Sequence, residues 1–200
     1  MEVIYALLTG IVAFGITAIW GHIDSELPFK PLLVAILSGV GAVVVYVGAI
    51  LGHKWYVVAI FTAVSVLSAY ADSQVHAAYT VPLLLLTVSM GVMYIVGGDF
   101  SWPVIVTAVV FLLFGFVGVY GRADGLYICA AALYLGVISD WAMAAFTVAL
   151  SIYCMICVAR FVVISISRRR QDKVYRILKK HKIPAIPALA IVVSLVGMLA

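Results

Sequence analysis

Long apolar runs, interrupted by short polar segments, dominate the pattern of this chain. A membrane-spanning helix needs about 20 apolar residues at about 1.5 Å of rise each. By that measure the sequence predicts eight spans, at residues 3–20, 31–51, 55–71, 81–96, 102–120, 126–138, 141–166 and 184–200. The sixth has only 13 residues. We therefore expect its helix to extend back through Asp124 or to begin below the membrane surface.

The composition points to the same class of protein. Hydrophobic residues make up 66% of the chain and charged residues only 10%. A soluble globular domain carries about a quarter charged residues, so composition excludes that class. We predict an all-α fold, a polytopic membrane helix bundle of about eight transmembrane helices. The first span lacks the basic leader and polar cleavage region of a signal peptide, so we expect no cleavable signal.

The basic residues predict the orientation of the spans, because lysine and arginine accumulate in cytoplasmic loops. Most of them lie in residues 167–182, the longest polar stretch. If this stretch is cytoplasmic, both termini lie outside the cell membrane and the loops near Asp24, Asp72 and Asp124 lie inside. The formal charge of +4 then reflects topology and attraction to anionic membrane lipids, rather than nucleic-acid binding.

Two interpretations of residues 167–182 stay open. Val174, Ile177 and Leu178 recur at helical spacing among the basic residues, which is typical of a helix lying on the inner leaflet. The same segment is equally consistent with a solvated basic loop that only enforces topology.

Acidic residues are few enough to be assessed one by one. Six have ordinary explanations as terminal, turn, loop or counter-charge residues: Glu2, Asp24, Glu26, Asp99, Asp140 and Asp172. Asp72 closes the third predicted span and Asp124 opens the sixth, so we expect both at one depth on the cytoplasmic boundary. An ionisable group at the edge of the hydrocarbon is costly unless it is paired or functional.

Two apposed carboxylates support a specific reaction. Like charges a few ångströms apart do not both ionise easily, so one group keeps its proton while the other activates a water. The protonated group polarises the scissile carbonyl, and the two exchange roles as the amine leaves. Asp72 and Asp124 are therefore candidates for an aspartic protease dyad. The alternative is structural: each caps a helix or pairs with a base, which for Asp124 is Arg122.

The segments around both aspartates resemble a known family. Asp72 lies in SAYADSQVHAAYTVPLLLLTV, Asp124 follows 52 positions later in GRADGLYICAAALYLG, and KIPAIPALA lies near the end of the sequence. This order of motifs resembles the type IV prepilin peptidases, which are GxGD-type membrane aspartic proteases. The resemblance implies a six-helix catalytic core over residues 53–200, preceded at residues 1–52 by two additional transmembrane helices.

The resemblance also implies an activity. Asp72 and Asp124 are then the catalytic pair, no cofactor is needed, and the partners are prepilin-like precursors that lose a short basic leader at the cytoplasmic face. Asp24 and Glu26 are candidates for receiving that leader. The sequence names neither the precursor nor an oligomeric state.

Glycines around the second aspartate have two further interpretations. Gly115, Gly118 and Gly121 recur every three residues, a pattern typical of close helix packing in membranes. Gly121 also frees the backbone beside Asp124 for a substrate strand, and we count Gly121 and Ala123 as candidate substrate contacts. Ala123 stands where the family has its second glycine.

The N-terminal third departs most from the family. Many bacterial members carry paired CxxC motifs between the first two spans, associated with N-methylation of the trimmed pilin, whereas this chain has only GHIDSELPFK there. Cys129, Cys154 and Cys157 all lie in predicted spans, and the CxxC pair supplies only two of the four ligands that zinc needs. The sequence predicts neither a metal site nor methyltransferase activity.

Two other classes of membrane protein place carboxylates inside a bundle. A transporter or channel is expected to show internal repeats and charges near the bilayer midplane, and the sequence shows neither. A peptidase similar to the lipoprotein signal peptidase would act on the outer face and carry an asparagine-containing motif at its second aspartate. The GRAD motif and the predicted topology disfavour it.

Overall fold

The computed structural model describes residues 1–24, 26–75, 78–97, 101–117, 121–139, 141–152, 155 and 185–199. Within these ranges the chain forms eight α-helices and no strand, which confirms the all-α prediction. The helices are α1 (Glu2–Ile23), α2 (Pro31–Ile50), α3 (Trp55–Val75), α4 (Thr80–Gly97), α5 (Trp102–Val117), α6 (Arg122–Ile138), α7 (Trp141–Ile152) and α8 (Ala185–Leu199).

The helices have the length and surface of a membrane protein. Four of the described helices, α1 to α4, are long and apolar enough to cross a bilayer, and α5, α7 and α8 are shorter apolar helices. Large apolar side chains face outward, such as Ile11, Leu85 and Ile95, which are 67%, 64% and 79% exposed. Such a surface suits lipid rather than water. A count of eight full spans stays a prediction.

Several predictions fall outside the described residues. They concern the end of the seventh span, the basic segment 167–182 with both of its interpretations, and a set of single residues: Asp99, Gly118, Asp140, Cys154, Cys157 and Asp172.

The centre of the bundle is formed by α3 and α6. Thirteen of the 21 residues of α3 are buried, because α1, α2, α4, α6 and α8 all pack around this helix. The helix α6 packs against α4, α5 and α8. Between the two central helices the rings of Phe61 and Tyr134 stack at a centroid distance of 4.2 Å, and Ser65 and Tyr127 share a hydrogen bond of 3.1 Å. Each central helix carries one of the two candidate aspartates.

The ends of the central helices differ from the predicted span limits. The helix α6 begins at Arg122 and so extends back through Asp124, as one of the two expectations stated. The helix α3 continues to Val75, so Asp72 lies in its last turn rather than after it. The Asp72 carboxylate accepts a hydrogen bond from an amide at the start of α8. This bond stabilises the carboxylate, so α3 continues past Asp72.

The contact between α5 and α6 depends on glycine. A Cβ on Gly125 would lie 2.8 Å from the Cα of Gly115 and 3.0 Å from the carbonyl oxygen of Phe111. Distances this short exclude any side chain, so the two backbones meet directly. This confirms close packing at Gly115, and it fixes the first turn of α6, which contains Asp124.

The end of α2 depends on a glycine for a different reason. Gly52 adopts a φ of +85°. Its N–H donates to the carbonyl of Ala49 at 3.1 Å, and the N–H of His53 donates to the carbonyl of Gly48 at 3.0 Å. These two bonds form a Schellman motif, in which glycine avoids the steric penalty that a Cβ meets at positive φ.

Gly52→Ala is expected to lower the free energy of unfolding by about 1 kcal/mol. A Cβ at position 52 meets no atom within 4 Å, so the loss reflects the positive φ alone. Gly39→Ala is the matched control, because a Cβ there also meets nothing within 4 Å but the residue lies inside α2. That variant should be equally or slightly more stable than the wild type. Unfolding in detergent, followed by circular dichroism, measures both. Equal destabilisation by the two changes would contradict this account.

Candidate functional site

Asp72 lies in the last turn of α3 and is buried, with 8% of its surface exposed. Its Oδ2 accepts a hydrogen bond of 3.1 Å from the backbone N–H of Ile186, in the first turn of α8. The carboxylate thus satisfies one of the amides that a helix leaves unpaired at its N-terminus, where the helix dipole also favours negative charge. Asp72 therefore joins the end of α3 to the start of α8.

Asp124 is the third residue of α6 and is half-buried. Its carboxylate forms a hydrogen bond with the backbone of Gly121, the N-cap residue of the same helix. A side chain that reaches back to the N-cap amide in this way resembles half of a capping box. Gly121 passes close to the carboxylate, since a Cβ on it would lie 3.0 Å from Asp124 Oδ2. A substrate contact by Gly121 stays a prediction.

The carboxylates of Asp72 and Asp124 act on each other. Asp124 lies in the first turn of α6, two residues before the apolar stretch 126–138. Burial, and after it the negative charge of Asp72, raise the pKa of Asp124 to about 6, although the hydrogen bond from Gly121 acts in the opposite direction. The structure thus places the two aspartates, 52 positions apart in the sequence, at the same end of the two central helices, where the charge of one affects the other.

Arg122 does not neutralise the charge of Asp124. Arg122 is exposed, and within the described residues it forms no ion pair with Asp124. The interpretation of Arg122 as the partner of Asp124 is therefore wrong. Capping, the other structural interpretation, is realised at both aspartates.

Asp24 and Glu26 lie in the loop between α1 and α2, at the same end of the bundle. Asp24 Oδ2 accepts a hydrogen bond from the Tyr79 hydroxyl, just before α4, and Asp24 Oδ1 accepts one of 2.9 Å from the Glu26 amide. The Tyr79 hydroxyl, and then the Glu26 amide, lower the pKa of Asp24. Glu26 is exposed.

The same loop is fastened to the end of α3 by Tyr70. Its hydroxyl donates to the carbonyl of Pro28 and accepts a hydrogen bond of 2.8 Å from the amide of Lys30. Leu27 is buried beside Tyr70 and Ala71. Tyr70 and Ala71 immediately precede Asp72, so the two N-terminal helices are anchored next to the candidate site. Nothing in the sequence pattern distinguishes Tyr70 and Tyr79 from the other tyrosines of the chain, and both were missed.

The remaining candidates have packing contacts. Ala123 is half-buried and packs against the main core cluster. Cys129 is a free, buried cysteine. In the part of the chain that the structure describes, no group of three His, Cys, Asp or Glu side chains could hold a metal ion.

Comparisons with protein-family models, curated proteins and solved structures gave no match. The family resemblance therefore rests on the motifs of the sequence and stays a prediction.

The raised pKa of Asp124 predicts a pH dependence of stability. The group binds its proton more tightly in the folded chain, at a pKa of about 6, than at its ordinary value of 3.8. Its contribution to stability is therefore complete below about pH 4 and is lost as the pH rises through about 6. Asp124→Asn, which is neutral at every pH, should lack this loss. The melting temperature of the wild type should fall relative to that of the variant over this range, and a constant difference would contradict the raised pKa.

Proposed function

We propose that the protein is a membrane-embedded aspartic endopeptidase of the prepilin-peptidase type, which removes a short basic leader from type IV prepilin-like precursors. The observation that carries the proposal is the placement of two carboxyl groups, Asp72 and Asp124, at the same end of the two central helices of an apolar bundle, where the charge of Asp72 disfavours ionisation of Asp124. Hydrolysis of a peptide bond by an activated water uses such a pair directly, because one carboxyl group acts as the base and the other as the acid.

The surroundings of the two carboxylates suggest different resting roles. The amide of Ile186 donates to Asp72, and a hydrogen bond of this kind stabilises an ionised carboxylate. Burial and the charge of Asp72 favour the protonated form of Asp124. We therefore assign Asp72 as the general base and Asp124 as the general acid at the start of the reaction.

The proposed hydrolysis balances its protons between these groups. Asp72 removes a proton from water, whose oxygen forms a bond to the scissile carbonyl carbon, while Asp124 donates its proton to the carbonyl oxygen. Asp72 then gives its proton to the leaving nitrogen as the carbon–nitrogen bond breaks. The tetrahedral carbon carries two hydroxyl groups, and one of them returns its proton to Asp124 as the new carboxylic acid forms. Both side chains regain their starting states.

The same end of the bundle offers charge for a basic leader. Asp24 and Glu26 lie at this end, in the α1–α2 loop. Hydrogen bonds from Tyr79 to Asp24 and from Lys30 to Tyr70 hold that loop in place. Opposite charges at such a surface assist encounter and orientation more than they add affinity. We assign this end to the cytoplasmic face of the cell membrane.

Asparagine substitutions separate catalysis from capping. Asp72→Asn and Asp124→Asn each keep a side-chain oxygen that accepts a backbone hydrogen bond, so both variants should fold with the wild-type elution profile. Neither can serve as a proton-transferring carboxyl, and loss of such a group costs about 10²–10⁴-fold in rate. Cleavage of a co-expressed prepilin-like precursor, scored on a gel by loss of the leader, measures the effect.

Glu2→Gln is the control for loss of a carboxylate elsewhere, because Glu2 is exposed at the start of α1. It should cleave like the wild type. If either asparagine variant processes the precursor at the wild-type rate, the aspartates serve only as caps and the proposal fails.

The proposed orientation has a separate test. A fluorescent reporter that folds only in the cytoplasm should be active when fused after residue 120, since that position adjoins Asp124. The same reporter fused after residue 53, between α2 and α3 at the other end of the bundle, should be inactive. The reverse pattern would place the aspartates on the outer face and exclude cleavage in the cytoplasm.

A further inference from the structure

A groove of about 240 Å³ runs along the bundle between α2, α3 and α8. Its two rims are exposed to the surroundings, since Val40 of α2 is 58% exposed and Leu195 of α8 is 54% exposed. The groove therefore opens sideways, toward the lipid in a membrane.

One end of the groove lies at Asp72. Ala69 lines it from α3, three residues and thus about 4.5 Å of helix rise before Asp72. Pro187 lines it from α8, directly after Ile186, whose amide donates to Asp72. The lining of α3 reaches back to Thr62, about 10 Å farther along the helix. The groove thus leads from within the apolar bundle to the candidate base.

The walls are suited to a helix more than to a lipid chain. Ser65 and Ala69 on α3, and Ala190 and Ser194 on α8, are small residues four positions apart that line the groove. Small residues at this spacing let a second helix approach closely, which is the main basis of helix association in membranes.

Acidic residues beyond the end of the groove favour a helix that is preceded by basic residues. A polypeptide leaving the groove past Asp72 would meet the loop that carries Asp24 and Glu26, which Tyr70 and Tyr79 hold at this end. The proposed substrate carries its basic residues directly before its apolar helix, so a substrate helix in the groove would bring those residues to the two carboxylates.

We infer that the groove between α2, α3 and α8 binds the hydrophobic helix of the substrate and delivers the residue before that helix to Asp72. This inference rests on the proposed function and adds the binding site to it. One wall belongs to α2, so the two N-terminal helices are part of the substrate site.

Val40 and Val43 provide a matched pair for the test, since both are valines of α2 and both are 58% exposed. Val40 lines the groove, whereas Val43 faces the side of α2 toward α1. Val40→Trp should fill the groove and raise KM for a precursor by at least about fivefold, by analogy with the cost of overpacking. Val43→Trp should leave KM unchanged. Equal values for the two variants would overturn the inference.

A cross-linking experiment reports binding without activity. A benzophenone side chain replaces Val40 or Val43 in the Asp72→Asn protein, and the probe is a synthetic precursor with a Lys- and Arg-rich segment before an apolar helix of about 20 residues. We expect the probe to be captured from position 40 and not from position 43. Capture from both positions, capture only of lipid, or capture of a second copy of this chain would each overturn the inference. If the wild type cleaves no precursor, the proposed function fails. Capture at position 40 then still shows whether the groove binds an apolar helix.

Discussion

The hydrogen bond from the Ile186 amide to the Asp72 carboxylate fixes the start of the last helix, α8, against the end of the central helix α3. It joins residues 114 positions apart, the last turn of α3 and the first turn of α8. In an apolar bundle a helix-end amide has few acceptors, so a carboxylate at this place both orders α8 and acquires a fixed position itself. The groove along α3 and α8 ends next to this bond, at Ala69 and Pro187.

A second set of polar contacts attaches the N-terminal pair of helices to the same place. The Tyr70 hydroxyl binds two backbone groups of the α1–α2 loop, the carbonyl of Pro28 and the amide of Lys30. The Tyr79 hydroxyl binds Asp24. Hydrophobic packing alone discriminates poorly between helix faces in lipid, because lipid tails are as apolar as the side chains they replace. Hydrogen bonds at the helix ends supply the missing specificity. They hold the start of α2 against the end of α3, and α2 forms one wall of the groove.

Much of this arrangement could be predicted from the sequence, and the parts that could not be predicted have physical reasons. Apolar runs predict helices. Acidic residues are scarce in this chain, and Asp72 and Asp124 each adjoin an apolar run at a helix end, so both could be identified as candidates. Their mutual interaction follows from tertiary packing, through Gly115 against Gly125 on one side and α8 on the other. A single sequence does not contain that information. Tyr70 and Tyr79 were indistinguishable from interfacial tyrosines because their partners are mainly backbone groups and a loop carboxylate, which leave no pattern.

The capping contacts of both aspartates also bear on the choice between a structural and a catalytic role. Asparagine caps a helix about as well as aspartate and brings no charge. If capping were the whole role, a neutral residue at either position would avoid the repulsion that raises the pKa of Asp124 and the burden of a charge at the edge of an apolar bundle. The chain instead has a carboxyl group at both positions, with no cation paired to Asp124 among the described residues. Two titratable groups that disturb each other are unfavourable for stability alone, and such groups are concentrated at functional sites.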